Sequence, residues 1–378
     1  MLYFSPGSHA QTLFALLAVA GEFPVKSLYL LGNVRVYKAL ICKMCRKQIV
    51  RHTGTGETVE TRLLSVSGKG ADATIRLYKG ALPILKWLGA DAYYQGAFPG
   101  HKFRGDRAHR ERNHRVAEAA AMSMRAGFAF EPYRLPALQN QAIRNIVPVE
   151  PVFYTAKQLK TIGDGETGKT IFTRTVGALF SHGVCYSVYN TRDAVMKWNG
   201  MAEFKALYAL TEAARLNAGI REVDSAILFG ASEQTALRTL LAQNHRPGFR
   251  LDSVYRHIHF FPMNPDGIRR FRWVGIPDWK EKLSAMLFCR EERSFGRGQF
   301  EYDAFIQGKY IFSHLDGDLA RLNRLRDALE PGLAEQLEIL CFPDQLGLIQ
   351  GYMGDRVGVR IIGVDAVERA WQTENRYS

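Results

Sequence analysis

The chain has 378 residues, of which 47% are hydrophobic, and its 50 Lys+Arg against 37 Asp+Glu give a formal charge of +13. This size and composition exclude a single small module, wholesale disorder and a collagen-like repeat. The charge is uneven: residues 1–150 hold 21 Lys+Arg and 10 Asp+Glu, whereas residues 151–378 hold 29 and 27. A basic first part on a near-neutral remainder predicts a polyanion partner, nucleic acid ahead of an anionic membrane surface.

The five cysteines (42, 45, 185, 289 and 341) have no framework spacing, which argues against a disulfide-stapled scaffold. No apolar run has the length of a membrane span. The stretch Thr12–Ala20 resembles a short signal h-region. The first basic residue is Lys26, however, and the stretch reads better as a Leu/Ala helix capped by Ser8. A cytoplasmic protein is expected.

Three helical stretches are predicted first: Ser8–Ala20, Pro24–Leu31 and, after the N-cap residue Asn33, Val34–Val50. At 100° per residue Tyr37, Leu40, Ile41 and Met44 share one side of the third helix. Arg35, Lys38 and Arg46 share the other, with Lys43 and Lys47 on a flank and Arg51 just beyond. Two β-prone runs, 60–67 and 73–78, flank the turn Gly68-Lys69-Gly70 and predict a hairpin with Lys69 at its tip and Arg76 on its second strand. Three helices and a basic hairpin match the order of a winged helix-turn-helix, whose third helix enters the major groove while the wing touches the backbone. The expected DNA contacts are therefore Arg35, Lys38, Lys43, Arg46, Lys47, Arg51, Lys69 and Arg76. Cys42 and Cys45 form a C-x-x-C inside the third helix, but the chain nearby has no second ligand pair, so no metal is assigned there.

Residues 1–90 are read as this DNA-binding domain, 91–106 as a linker without periodicity, and 107–378 as a second, α/β domain. The latter opens with an Arg-rich helix, 107–126, that turns into a run of Ala and Met. Strands are expected at 174–181, 184–190, 225–228, 253–262, 270–274, 309–313, 338–341 and 359–364. Helices are expected at 202–217, 233–243, 279–287, 317–328 and 344–352.

Several motifs compete for a role. Gly163 to Thr170 matches G-x-x-x-x-G-K-T, but residues 155–162 before it have helical spacing and residues 171–177 after it are β-branched, the reverse of a P-loop context. His257 and His259 share one face of a strand and would hold a metal if a carboxylate joined them. Glu203-Phe-Lys205 has the E-x-K spacing of metal-dependent nucleases but lies in a predicted helix rather than a strand. Asp316 and Asp318 read as helix-start residues.

The stretch Tyr29–Met44, the hairpin, Leu77–Leu82 and the helix entered through Arg112–Arg115 together resemble the replication-relaxation proteins of plasmids and integrative elements. The resemblance covers about the first 200 residues. It implies a winged helix ahead of a restriction-endonuclease-like domain, a link to plasmid replication and DNA relaxation, and kinship with one group of conjugative relaxases. In the active nuclease pattern a Pro-Asp begins one strand and E-x-K or E-x-D lies on the next. The corresponding strands here, 174–181 and 185–190, offer Val176-Gly177 and no carboxylate, so a degenerate, inactive domain is expected.

The sequence thus predicts a double-stranded DNA-binding protein of a mobile element, acting in replication, relaxation or transfer, with no catalytic residue, metal or cofactor assigned. The alternatives are an active Mg²⁺-dependent nuclease or relaxase and a P-loop nucleotide-binding enzyme. Other replication or transfer proteins are expected partners, a membrane is not, and homodimerisation is left open.

Overall fold

The computed structural model describes residues 1–102, 106–131, 133–162, 171–172, 174–196, 201–243, 253–293, 300–330 and 332–374. After β1 (Leu2–Phe4), α1 (His9–Ala20) starts at Ser8, whose hydroxyl accepts the Gln11 N–H at 3.3 Å. It stops at Gly21, whose φ of 78° favours glycine. Its Leu13, Phe14, Leu16 and Leu17 are fully buried. The predicted second helix is a tight 3₁₀ segment, Val25–Leu30, preceded by β2 (Glu22–Pro24).

The third, α2 (Val34–Met44), begins where the Asn33 side chain accepts the Arg35 and Val36 N–H groups. It ends six residues short of the predicted Val50 because Gln48–His52 forms β3. That strand pairs with β1 in parallel and with β4 (Thr58–Thr61) in antiparallel fashion. The β-branched pair Ile49-Val50 favours a strand, and Val50 is buried in it. β5 (Leu64–Ser67) and β6 (Thr74–Leu77) then form a hairpin, and β2 adds to its β6 edge, giving the order β2–β6–β5. Gly68 turns at a φ of 81°, where a Cβ would meet the Asp72 carbonyl oxygen at 2.7 Å.

The predicted linker is not an uninterrupted loop. After α3 (Leu85–Leu88), Asp91–Ala97 forms α4, anchored by the buried Tyr94, whose hydroxyl lies 2.8 Å from His101 Nδ1. Helix α5 (Arg107–Ala126) is capped by Asp106, and its small-residue half, including Ala117 and Ala119–Ala121, is fully buried. Side chains of that size let backbones approach on every side. One flank packs on α1 and β2, the other on the central sheet of the second part. One of the apolar clusters therefore runs continuously from Leu2 to Trp371.

The second part is mixed α/β. β7 (Val152–Thr155), β8 (Gly177–Ser181) and β9 (Val184–Arg192) form an antiparallel meander, with the short α6 (Ala156–Leu159) after β7. α7 (Met201–Ala218), β10 (Ser225–Gly230), α8 (Glu233–Gln243) and β11 (His257–Pro262) continue it as parallel crossovers, giving the order β11–β10–β9–β8–β7. α7 covers one face of this sheet through Ala206, Leu210 and Ala214, while α5 and α9 (Pro265–Trp273) cover the other. A second sheet, β12–β13–β14–β15, comprises Ala304–Ile306, Lys309–Ser313, Leu337–Cys341 and Gly358–Ile361. Its helices are α11 (Leu319–Ala328) and α12 (Leu346–Met353). α10 (Trp279–Leu287) precedes it and α13 (Val364–Glu374) comes after it.

One predicted strand is corrected: residues 270–274 belong to the helix α9 and its C-cap. Asn264 caps it by accepting the Gly267 N–H at 2.7 Å, and Pro265 opens it, signals that outrank the apolar alternation of Phe271, Trp273 and the arginines.

Candidate nucleic-acid interface

Helix α2 divides as its spacing predicts. Tyr37, Ile41 and Met44 are buried, while Arg35, Lys38 and Lys43 are exposed on α2, with Arg46 and Lys47 exposed just past its end. Between this helix and β5 lies a groove of about 770 Å³ whose lining includes Lys38, Cys42, Cys45, Arg46, Arg62 and Ser65. Burial raises the Cys45 thiol pKa. Among the described residues, Arg35, Lys38, Lys43, Arg46, Arg51 and Lys69 form no ion pair with a carboxylate. Lys47 stands 3.4 Å from Glu60, with both side chains exposed. Arg51 is exposed on β3 and Lys69 at the hairpin tip.

Arg76 is held differently. Its Nε and Nη2 donate to Glu22 Oε2 at 2.9 and 2.6 Å, across the β2–β6 pair that places the two residues opposite each other. Glu22 is 2% exposed and also draws Arg110 and His114 of α5 to 3.6 and 3.3 Å. Burial works to raise the Glu22 pKa, but the His114 ring and the Arg76 guanidinium outweigh it and hold it below the usual carboxylate value. Arg76 thus ties β6 to β2, and Glu22 carries the link on to α5. Arg62, outside the sequence candidates, lines the groove instead, its guanidinium 3.6 Å from the centre of the Tyr78 ring. A lone arginine at a strand edge carries no sequence signal that separates it from a solvated one.

The two strands that the sequence sets against the nuclease pattern are β8 and β9. Asn190 and Arg192 stand two residues apart on β9, the spacing of an E-x-K. The Asn190 amide donates to Glu118 Oε2 at 3.2 Å and to the Arg115 carbonyl at 3.0 Å. Arg192 grips Glu118 with two hydrogen bonds, at 2.7 and 2.9 Å, and pairs with Glu111. Burial opposes the Arg192 charge, but Glu118 and Glu111 more than offset it and raise its pKa. Glu203 lies on helix α7, buried, with Arg174 at 2.7 Å, and Lys205 is exposed, so among the described residues the E-x-K tripeptide gathers no carboxylate pair. The Gly163–Thr170 motif lies outside the described residues.

His257 meets a carboxylate and His259 lies near one. His257 Nδ1 lies 2.6 Å from Asp318 Oδ2, and His259 Nδ1 donates to the Asp316 carbonyl at 2.9 Å. Both partners come from the loop after β13, so spacing within the strand alone could not reveal them. Asp318 also caps α11 by accepting the Ala320 and Arg321 N–H groups, as a helix-start residue should.

No protein-family description, curated protein or solved structure matches this chain.

Proposed function

We propose that this protein binds double-stranded DNA, with α2 as the reading helix and the β5–β6 hairpin as the wing. The observation that carries the reading is the exposed set Arg35, Lys38 and Arg46, which has no carboxylate partner among the described residues and of which Lys38 and Arg46 line the groove beside β5. Such cations gain most by displacing counterions from phosphates. Support for a winged helix comes from the element order and from the three-stranded arrangement β2–β6–β5, in which a strand from before α2 joins the hairpin that follows it.

For the second part we propose a restriction-endonuclease-like module without nuclease activity. The helix, three-strand meander, helix and parallel strand formed by α5, β7–β9, α7 and β10 are in the order that such a module requires. At the strand position where that chemistry needs a carboxylate and a lysine, this chain carries Asn190 and Arg192, and the guanidinium occupies Glu118. A role in replication, relaxation or transfer of a mobile element rests on the family resemblance.

Fluorescence anisotropy of a labelled duplex with the full chain, in EDTA, tests the binding. We expect a shift that weakens steeply with salt and that Lys38→Ala/Arg46→Ala reduces at least tenfold. Equal affinity of the double variant for every duplex tried would overturn the reading. Supercoiled plasmid should remain uncut in Mg²⁺; nicking that Asn190→Ala abolishes would restore the nuclease alternative.

A further inference from the structure

We propose that His259, Asp316 and Asp318 form a binding site for one divalent transition-metal ion, reached through the cleft beside His257. Their donor atoms, a ring nitrogen and two carboxylate oxygens, lie within 4.8 Å of one another. His259 and Asp318 are fully buried, and the Asp316 side chain is 13% exposed.

The backbone builds this convergence. The loop after β13 runs back along the edge of β11, where the Phe260 N–H donates to the Gly317 carbonyl at 2.9 Å. Gly317 has a φ of 65°, and a Cβ there would stand 2.7 Å from the Phe260 carbonyl oxygen. Only glycine lets the loop lie this close, and it sets the two aspartates on either side of its contact with the strand.

Asp318 and His259 are also held in place by hydrogen bonds. Asp318 is fixed by N–H donors from Ile258, Ala320 and Arg321 on Oδ1 and by His257 on Oδ2. The His259 Nδ1–H is directed at a backbone carbonyl, the arrangement that sets the tautomer of metal-binding histidines, and its Nε2 is buried without any hydrogen-bond partner. Helix capping accounts for Asp318, and Asp316 Oδ1 accepts the Asp318 N–H at 3.1 Å; among the described residues neither contact accounts for Asp316 Oδ2 or for the bare ring nitrogen. Asp316 Oδ2 stands 3.9 Å from His259 Nδ1, outside hydrogen-bond range, and neither aspartate has a lysine or arginine ion pair among the described residues. Two adjacent buried carboxylates repel each other, and a dication would neutralise both.

One imidazole and two carboxylates suit Zn²⁺, Mn²⁺ or Co²⁺ better than Mg²⁺ or Ca²⁺, which take mainly oxygen ligands. Ligand bonds of about 2.0–2.2 Å place donors about 3.0–3.6 Å apart, so the side chains would close by about an ångström on the ion. The cleft, about 470 Å³ and lined by His257, Lys280, Ser313, Asp316 and Arg321, provides entry and room for water or an anionic co-ligand.

The test is calorimetric titration of the EDTA-stripped full chain with Zn²⁺, paired with Co²⁺ absorption spectra. One equivalent should bind, and Asp316→Asn should weaken it at least tenfold. The melting temperature of the metal-free Asp316→Asn protein should match or exceed that of the metal-free parent, because one of two repelling charges is gone. A purely structural aspartate would instead lower it. Should that variant fail to fold, Co²⁺ broadening of the His257 and His259 ring signals in the unmodified chain decides the matter. The proposal is overturned by absence of saturable binding, by binding undiminished in Asp316→Asn, or by binding abolished in Cys42→Ser instead.

Discussion

Arg192, at the end of β9, donates from Nε and Nη2 to the two carboxylate oxygens of Glu118, halfway along α5. Glu118 in turn accepts the Ser27 hydroxyl at 2.5 Å, so one carboxylate joins the sheet, the shared helix and the 3₁₀ segment ahead of α2. Glu118 is 2% exposed, and removing its cation strands a charge in the interior. Arg192→Ala should therefore cost about 3–5 kcal/mol, read from urea unfolding, with Arg192→Lys recovering only part because lysine cannot make the fork.

The eight expected DNA contacts should separate into two groups. Lys38→Ala and Arg46→Ala should leave the melting temperature unchanged and lower duplex affinity. Each should reduce the slope of log K against log salt by about one for each phosphate it no longer neutralises. Arg76→Ala should instead destabilise the fold, because its partner Glu22 is buried. Melting curves and anisotropy on the same samples would show the split. Point variants are the right tool, since removal of residues 1–90 would expose the α5 flank that packs on α1 and β2.

Lys69 should behave as a backbone contact. Lys69→Ala is expected to weaken binding to all duplexes by a similar factor of about three to ten, without changing their rank. A competition series of unrelated duplexes provides the measurement, and a changed rank order would assign Lys69 to base edges.

Glu22 makes stability sensitive to acid. Its folded pKa is held below the ordinary carboxylate value of 4.5, so its contribution is present above that pH and is lost as pH falls through the folded value. Urea midpoints measured from pH 7 to pH 3 should fall at the acid end. Glu22→Gln should start about 3 kcal/mol lower and show a flatter acid limb.

Gly267 tests the corrected helix. A Cβ at this position would stand 1.8 Å from the Pro262 carbonyl oxygen, where the end of β11 touches the first turn of α9. Gly267→Ala should cost about 3 kcal/mol in urea unfolding or prevent soluble expression. Were the chain extended at 270–274, as the alternation of Phe271 and Trp273 suggests, with a loop before it in place of the first turn of α9, the alanine would be tolerated.

Local chemistry made much of this protein legible in its sequence. The Ser8 and Asn33 caps, the split faces of α2, the Gly68–Gly70 turn and the alanine run of α5 each depend on neighbours a few residues away. So do the long strands and helices of the second part, several of which begin and end where periodicity places them. Local chemistry failed where distant partners decide. Ile49-Val50 became a strand because β1 and β4 flank it, and Asp91–Ala97 became a helix because Tyr94 finds a buried seat.

The uneven charge was set by the sequence alone, since the surplus of the first 150 residues is a matter of counting. Which of those cations are free was decided only by the tertiary structure. It turned Arg76 inward to Glu22, put Arg62 into the groove, and brought Asp316 and Asp318 beside His259 across 57 residues or more of chain. Charge is a property of composition, but availability depends on which opposite charge the fold places within a few ångströms.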